Sequence, residues 1–168
     1  MGPRLLTDRL ELRPLEAAAA GALPDQRQAA AEIIGAELSP DWPQPAILDI
    51  LPTQAASTPE QNAFRVWLII ERRTKTVIGD IGFFGPPGPD RSVEIGYVIV
   101  PDSRRQGYAP EAARALLDWV LDQPGVDVVT ARTDESNATS IRILRKLGFA
   151  PAGRADGWLR WRLSPEPG

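Results

Sequence analysis

Residues 98–111 read VIVPDSRRQGYAPE, a run in which a β-branched strand passes through a short loop directly into a helix. Gly107 stands just before the helix and permits close approach of a ligand to the backbone, while Ala109 keeps the next position small. Free backbone N–H groups at a helix N-terminus point at an anion, and Arg104 and Arg105 can add positive charge. The run therefore predicts a pyrophosphate site. The alternative is that both arginines are solvated and Gly107 only forms a turn.

Two other phosphate-binding loops also lie between a strand and a helix, and neither fits this sequence. A dinucleotide-binding fold needs several glycines in the loop and an acidic residue at the end of the following strand. Here the loop has only Gly107, and Asp127 lies near the start of that strand. A Walker-type loop needs Gly-Lys followed by Ser or Thr, which the sequence lacks.

The composition excludes several kinds of chemistry. Lys and Arg number 19 against 22 Asp and Glu, a formal charge of -3, so no basic field favours nucleic acid or an anionic membrane as partner. The chain has no Cys and no His, which removes disulfides, thiolate nucleophiles, zinc-thiolate sites and the usual near-neutral base. We therefore expect no metal site, and we expect proton transfer through carboxylates, hydroxyls, water or backbone groups.

Length and hydrophobicity favour one soluble domain over residues 1–168. A hydrophobic share of 43% is enough for one substantial core. No segment approaches about 20 continuous apolar residues, and the N-terminus lacks the apolar run of a signal peptide, so a cytoplasmic protein is expected. Arg far outnumbers Lys, and Ala and Pro are abundant, which indicates a GC-rich bacterial genome.

Local patterns predict strands and helices in a mixed order. The predicted strands cover residues 10–13, 64–70, 76–84, 93–100, 126–132 and 158–163. The predicted helices cover residues 16–35, as one or two pieces, and a segment with Pro110 in its first turn that ends before Pro124-Gly125. A further helix is predicted over residues 138–147, with Asn137 as N-cap and Gly148 ending it. Residues 39–59 hold five of the 17 prolines and are expected to form a surface excursion with at most a short helix near residues 47–51. This order predicts an α+β or mixed α/β layered domain.

Four motifs resemble those of the GNAT N-acetyltransferases, in particular the branch of RimJ/RimL-like proteins. Arg104-x-x-Gly107-x-Ala109 is similar to that family's coenzyme A loop. TDRLELRPL at residues 7–15 resembles its first strand, and EIGY at residues 94–97 resembles the start of its fourth. Asn137-x-x-Ser140, followed by LRKLGF at residues 144–149, resembles its C-terminal helix. The matches occur in family order, whereas residues 39–63 and the tail after residue 150 have no matched counterpart.

The resemblance implies a central mixed, mostly antiparallel sheet of six to seven strands, flanked by helices. Its fourth and fifth strands, here residues 93–100 and 126–132, would splay apart so that the pantetheine of acetyl-CoA inserts between them. Backbone groups of Val98 and Val100 would bond the pantetheine, and an N–H near Val98 would polarise the thioester carbonyl. Both valines could equally be core residues. The cofactor contacts that the resemblance assigns are Val98, Val100, Arg104, Arg105, Gln106, Gly107, Tyr108, Ala109, Asn137 and Ser140.

The resemblance also implies acetyl transfer from acetyl-CoA to a primary amine by direct attack in a ternary complex, since no Cys can hold a covalent acetyl group. Strand alternation places Glu94 on the face of the predicted cofactor contacts, so its carboxylate is the candidate base, with Asp80 in reserve. Ser140 is the candidate proton donor to the leaving thiolate, because Leu144 stands where many relatives carry Tyr. A solvent-facing Glu94 and an ordinary first-turn Ser140 are the alternatives.

The acceptor site is marked less clearly by the sequence. Asp41 and Trp42 in the proline-rich segment, together with Asp80 and Trp158, could line an amine pocket, although tryptophan is more commonly buried in a core. RimJ/RimL-like relatives modify protein N-terminal amines or small amines, so the resemblance leaves the acceptor open. The chain is expected to be a monomer or a homodimer. The alternative function on the same fold is a non-catalytic acyl-CoA sensor or partner-binding domain.

Overall fold

The computed structural model describes residues 2–165. Over this range the strands are β1 (Leu5–Leu6), β2 (Leu10–Pro14), β3 (Glu37–Leu38), β4 (Val66–Glu71), β5 (Thr76–Phe83), β6 (Ser92–Ile99), β7 (Val128–Asp134), β8 (Ala150–Ala155) and β9 (Trp158–Leu163). The helices are α1 (Ala17–Ala22), α2 (Arg27–Ile34), α3 (Pro45–Leu48), α4 (Leu51–Ala55), α5 (Pro59–Asn62), α6 (Tyr108–Leu121) and α7 (Ala138–Lys146). In this part of the chain no helix has the length and apolar character needed to cross a membrane.

A single sheet joins these strands in the order β1-β2-β4-β5-β6-β7-β9-β8, with β3 beside β5. Neighbouring strands are antiparallel except at β6–β7 and β3–β5, which are parallel. The predicted fold class, a mixed and mostly antiparallel sheet flanked by helices, is confirmed.

The sheet has nine strands over residues 2–165, more than the six to seven predicted. Two of the unpredicted strands, β1 and β3, are only two residues long, too short to show a period of two. The third, β8, reads APAGRA, whose residues have low strand propensity. It becomes a strand because it pairs with β9 on both sides of a bulge between Pro151 and Gly153.

Helices and loops cover both faces of β4 and β5. On one side Trp119 of α6 packs against Trp67, with ring centroids 5.0 Å apart, and stacks on Phe83 at 6.5 Å. Successive strand residues alternate between faces, so Asp80 points to the opposite side, where it meets Trp42. We call these two sides the α6 face and the Trp42 face.

Strands β6 and β7 separate along their length. They pair in parallel only over residues 92–94 and 128–130. Beyond Glu94, β6 continues to Ile99 with β5 as its partner, whereas β7 continues to Asp134 with β9 as its partner. The predicted splay of these two strands is therefore confirmed, and Glu94 lies at its apex.

The segment 39–59 is more helical and more buried than predicted. Its prolines suggested a loop, but Pro45, Pro52 and Pro59 stand in the first turns of α3, α4 and α5, where no backbone N–H is required. Gln54 is fully buried. Its amide group donates to the backbone carbonyl of Leu15 at 2.8 Å and accepts from the N–H of Val66 at 3.2 Å, which ties the segment to the sheet.

Candidate active site

A cleft of about 600 Å³ lies between the end of β6, the loop that starts α6 and the first turn of α7. The predicted cofactor contacts that line it are Val98, Arg104, Arg105, Gly107, Tyr108, Ala109, Asn137 and Ser140. Val100 and Gln106, also predicted, do not line the cleft. Tyr97 and Ile99 of β6 complete the wall on the strand side, and neither was predicted.

Gly107 forms the turn that starts α6. Its φ is +80°, in the left-handed region that favours glycine, and a Cβ atom there would lie 3.4 Å from the Nη2 atom of Arg9. The following N–H groups, of Tyr108 and Ala109, belong to the first turn of this 14-residue helix and so have no intrahelical acceptor. The helix start therefore presents free donors and the positive end of its dipole beside the cleft.

Arg9, from the turn before β2, braces this loop. Its Nη1 donates to the carbonyl of Gln106 at 2.8 Å and its Nε donates to Oε1 of Glu111 at 2.8 Å. Its guanidinium carbon lies 4.3 Å from the centroid of the Tyr108 ring. Burial acts to raise the pKa of Glu111, but hydrogen bonds from Thr7 and Arg9 outweigh it, so the pKa is lowered and the carboxylate stays charged.

This brace corrects the prediction for Gln106. Its carbonyl faces Arg9 and its side chain lies toward the carbonyl of Asp102, so it shapes the loop from behind. The contact between Arg9 and Gln106 spans 97 residues of sequence, and no local pattern marks it. The sequence placed Arg9 only within the first-strand motif.

The prediction that backbone groups of Val98 and Val100 face the pantetheine is wrong by one residue. The N–H of Val100 donates to the carbonyl of Ile78 at 2.9 Å, and its carbonyl accepts from the N–H of Ser103 at 3.0 Å. Val98 lies two residues before Val100 and pairs with Asp80 of β5. Residues two apart in an antiparallel strand direct their backbone groups to the same neighbour, so those of Val98 also point toward β5. The physical reason is the antiparallel ladder, which turns every second residue of β6 toward β5.

Tyr97 and Ile99 are the residues whose backbone groups point away from β5, toward the opening between β6 and β7. Neither has a partner on β7, because pairing with that strand stops at Glu94. The carbonyl of Ile99 accepts from Nε of Arg104 at 2.8 Å, which holds this arginine against the strand end. The strand edge left without a β7 partner therefore consists of the backbone groups of Tyr97 and the N–H of Ile99.

The start of α7 lies opposite this edge. Oδ1 of Asn137 accepts from the N–H of Ser140 at 3.1 Å, which makes Asn137 the helix cap that the sequence indicates. The Tyr97 hydroxyl donates to Oγ of Ser140 at 3.3 Å. Burial raises the pKa of Tyr97, so its phenol stays protonated at neutral pH and serves as a hydrogen-bond donor to Ser140.

Glu94 lies at the splay apex and is half-buried. Its Oε2 accepts from Nε of Arg132 at 2.8 Å, an ion pair that joins β6 to β7 across the apex. The guanidinium of Arg132 lies 6.0 Å from the ring of Trp158, which is 45% exposed. Glu94 and Val98 are an even number of residues apart on one strand, so both side chains lie on the Trp42 face. Glu94, Arg132 and Trp158 form one surface there.

Asp80 lies deeper on the same face. Its Oδ2 accepts from the indole N–H of Trp42 at 3.0 Å, and burial raises its pKa to about 6. Trp42 is fully buried, so the prediction that this residue lines an amine pocket is wrong: its ring fills the core, and its N–H holds Asp80. Asp41 is exposed, and its carbonyl accepts from the side chain of Gln44 at 2.6 Å.

Comparisons with known proteins agree with this geometry. Residues 9–150 match the family model of the acetyltransferase (GNAT) domain. YjdG of Bacillus subtilis (strain 168), an uncharacterized N-acetyltransferase, is 29% identical over 160 residues, which cover 94% of this chain and 95% of YjdG.

Two solved structures share the fold at low sequence identity. A ribosomal-protein-alanine acetyltransferase from Vibrio fischeri has a TM-score of 0.72 at 14% identity, covering 98% of this chain and 97% of that one. RimL, a ribosomal alpha-N-protein acetyltransferase in complex with coenzyme A, has a TM-score of 0.65 at 16% identity, covering 95% of this chain and 96% of that one. Since the family model spans most of the sequence, the chain belongs to the GNAT acetyltransferase family and is an acetyl-CoA-dependent acetyltransferase.

Proposed function

We propose that the protein transfers the acetyl group of acetyl-CoA to a primary amine, either a protein N-terminal amine or a small-molecule amine, by direct attack in a ternary complex. The observation that carries this proposal is the cleft beside the phosphate loop, which opens at the splay whose apex holds Glu94. A donor bound on one side of the splay and an amine on the other can then meet at the apex.

The residues of the cleft fit coenzyme A. The first-turn N–H groups of Tyr108 and Ala109, with Arg104 and Arg105 nearby, suit the pyrophosphate. The unpaired edge at Tyr97 and Ile99 suits the amides of pantetheine, as a missing strand would. The bound thioester supplies the activated acetyl group. With no Cys in the chain, no thiol holds it covalently.

Proton transfer falls to residues on the two sides of the splay. Glu94 is our candidate to accept the amine proton, directly or through water, while Arg132 fixes its carboxylate. Asp80 is the reserve base, because its pKa of about 6 allows a proton to be taken up and released near neutrality. Ser140, with Tyr97 hydrogen-bonded to it, is positioned to protonate the leaving thiolate.

The test is thiol release from acetyl-CoA in the presence of a panel of amines. The panel contains peptides with varied N-terminal residues, polyamines and aminoglycosides, and released thiol is measured by colour formation. We expect amine-dependent release with at least one class. Tight coenzyme A binding without release on any amine would overturn the proposal and favour a sensor on the same fold.

A further inference from the structure

Among residues 2–165, no helix covers one part of the sheet on the Trp42 face. Cross-strand partners share a face, and on β7 and β9 the pairs Thr130–Arg162, Arg132–Arg160 and Asp134–Trp158 all point to this side. Apart from the half-buried Thr130, these side chains are exposed to solvent. The row begins at Glu94, which is the register partner of Thr130 on β6. We call this surface the β7–β9 face.

The charge of the β7–β9 face is opposite to that of the chain as a whole. Arg132 is neutralised by Glu94, and the carboxylate of Asp134 accepts hydrogen bonds from the backbone and side chain of Ser136. Within residues 2–165, Arg160 and Arg162 take part in no ion pair. Two guanidinium groups that form no ion pair within the described residues thus lie side by side, and they outweigh the charged carboxylate of Asp134 on the same face of a protein of formal charge -3.

Exposed aromatic rings flank the same row. Phe84 is 62% exposed and Trp158 is 45% exposed. A Cβ atom on Gly96 would lie 3.3 Å from the ring of Phe84, so this ring lies over β6 two residues from Glu94. Exposed aromatic and arginine side chains are the types enriched at recognition surfaces. Their position around Glu94 favours a role in holding an acceptor.

We propose that the β7–β9 face binds an acidic polypeptide acceptor, with the residues that follow its reacting N-terminal amine lying across β7 and β9 toward Arg162 and Arg160. This inference rests on the proposed function. Strands lie about 4.8 Å apart, so the row from Glu94 through Thr130 to Arg162 spans about 10 Å. An extended peptide rises about 3.3 Å per residue, so its third and fourth residues reach the arginines, which a small amine held at Glu94 does not.

The test uses peptides that share an N-terminal serine and differ at residues two to four, which are all glutamate, all glutamine or all lysine. Acetylation gives KM for each peptide, and calorimetry with the enzyme saturated with coenzyme A gives each Kd without turnover. We expect the glutamate peptide to bind about tenfold more tightly than the glutamine peptide at low salt, and this advantage to shrink as salt rises.

The double variant Arg160→Glu/Arg162→Glu should reverse the preference, so that the lysine peptide binds more tightly than the glutamate peptide. Arg114→Glu, an exposed arginine on α6, makes the same charge change away from this face and should keep the parent preference. The affinity of each variant for coenzyme A reports whether it is folded.

Three outcomes overturn the inference. Equal Kd for the three peptides does so while leaving acetyl transfer intact, as does acetylation of small amines with no peptide binding. Displacement of the glutamate peptide by a single-stranded oligonucleotide at lower concentration would assign the arginines to nucleic acid instead. Failure of the proposed function is a separate result, namely no thiol release on any amine, and the calorimetric peptide comparison still decides this inference.

Discussion

At the scale of single residues, Asp80 is the most buried carboxyl group among the described residues. It is 5% exposed, with the indole N–H of Trp42 as hydrogen-bond donor, and burial raises its pKa from 3.8 to about 6. The folded protein therefore holds this proton more tightly than the unfolded chain does. The contribution of Asp80 to stability should therefore be highest where Asp80 is neutral and should fall as pH rises from about 4 through about 6.

The first prediction replaces Asp80 by asparagine, which removes the titration and keeps an acceptor for the indole of Trp42. Urea unfolding at pH 4, 5, 6 and 7 gives the free energy of unfolding of both proteins. The parent should lose about 2 kcal/mol relative to Asp80→Asn over this range, most of the free energy equivalent to the shift in pKa. Asp41→Asn, an exposed carboxylate next to Trp42, serves as control. If parent and Asp80→Asn follow the same profile, Asp80 is charged in the folded protein at pH 5.

A second prediction at this scale concerns Glu94 as the base. Glu94→Gln keeps the side-chain shape and removes its basicity, so turnover at neutral pH should fall about 10²- to 10⁴-fold and recover in part as rising pH neutralises the amine. The affinity for acetyl-CoA should stay close to that of the parent. Turnover is measured by thiol release from pH 6 to 10, with the acceptor found in the amine panel.

The matched control for Glu94 is Glu135→Gln. Like Glu94, Glu135 forms an ion pair with an arginine, because its Oε1 lies 2.7 Å from Nε of Arg154. Glu135 lies beyond the end of β7, away from the splay apex. This variant loses the same chemistry and should turn over like the parent. Parent-like turnover of Glu94→Gln across the pH range would remove Glu94 from the mechanism, and Asp80→Asn would then be assayed for turnover.

At the scale of elements, local signals predicted the starts of α6 and α7, whereas contacts between distant parts of the sequence could not be predicted from them. The Gly107 turn and the Asn137 cap were readable because each needs only its own residue type within a few positions of the chain. The prolines of residues 45–59 led to the prediction of a loop where the structure has three short helices. Proline occurs both in loops and in the first turn of a helix, so the residue type alone does not distinguish them. The residues of β6 whose backbone groups face the splay were predicted one position off. Alternation alone does not show which residues of a strand hydrogen-bond to the neighbouring strand.

The Arg9 brace leads to a prediction about the phosphate loop. Arg9→Ala removes the donor to the Gln106 carbonyl and the partner of Glu111, so the Kd for coenzyme A should rise about tenfold, while kcat stays near the parent value. Arg9→Lys should not restore affinity, because an ammonium lacks the planar fork that reaches both partners. Calorimetry gives the Kd values.

The salt dependence of Kd separates a brace from a direct contact. Arg9 acts through the loop, so Arg9→Ala should keep the parent's dependence on salt, whereas Arg104→Ala or Arg105→Ala should flatten it. Arg13→Ala breaks a similar ion pair, with Glu11 at 2.6 Å, on the adjacent strand β2 but away from the loop, and should leave affinity unchanged. Unchanged affinity in folded Arg9→Ala would show that the loop holds its shape without the brace.

At the scale of the whole molecule, the sheet consists of two parts that meet over a short parallel contact. Strands β1 to β6 form one part and β7 to β9 the other, joined directly by residues 92–94 and 128–130 and by the ion pair of Glu94 with Arg132. A ligand that fills the opening between β6 and β7 contacts both parts. Its binding should therefore stabilise the entire fold, by about 2.7 kcal/mol at a concentration of 100 times Kd.

The last prediction locates that stabilisation at particular backbone amides. Without ligand, the amides of Val98 and Val100 should exchange slowly with deuterated water because they bond β5, whereas those of Tyr97 and Ile99, at the unpaired edge, should exchange quickly. Coenzyme A should slow exchange at Tyr97 and Ile99, by at least tenfold. NMR-detected exchange of the labelled protein resolves these neighbouring residues.

Adenosine 3′,5′-bisphosphate is the matched ligand, because it carries phosphates but no pantetheine. It should slow exchange near the phosphate loop, at Tyr108 and Ala109, without protecting Tyr97 or Ile99. If coenzyme A instead protects Val98 and Val100 and leaves Tyr97 and Ile99 fast, the phase assigned to β6 is wrong and the valines face the ligand. If it protects neither pair, the pantetheine does not follow the edge of β6 between the two parts of the sheet.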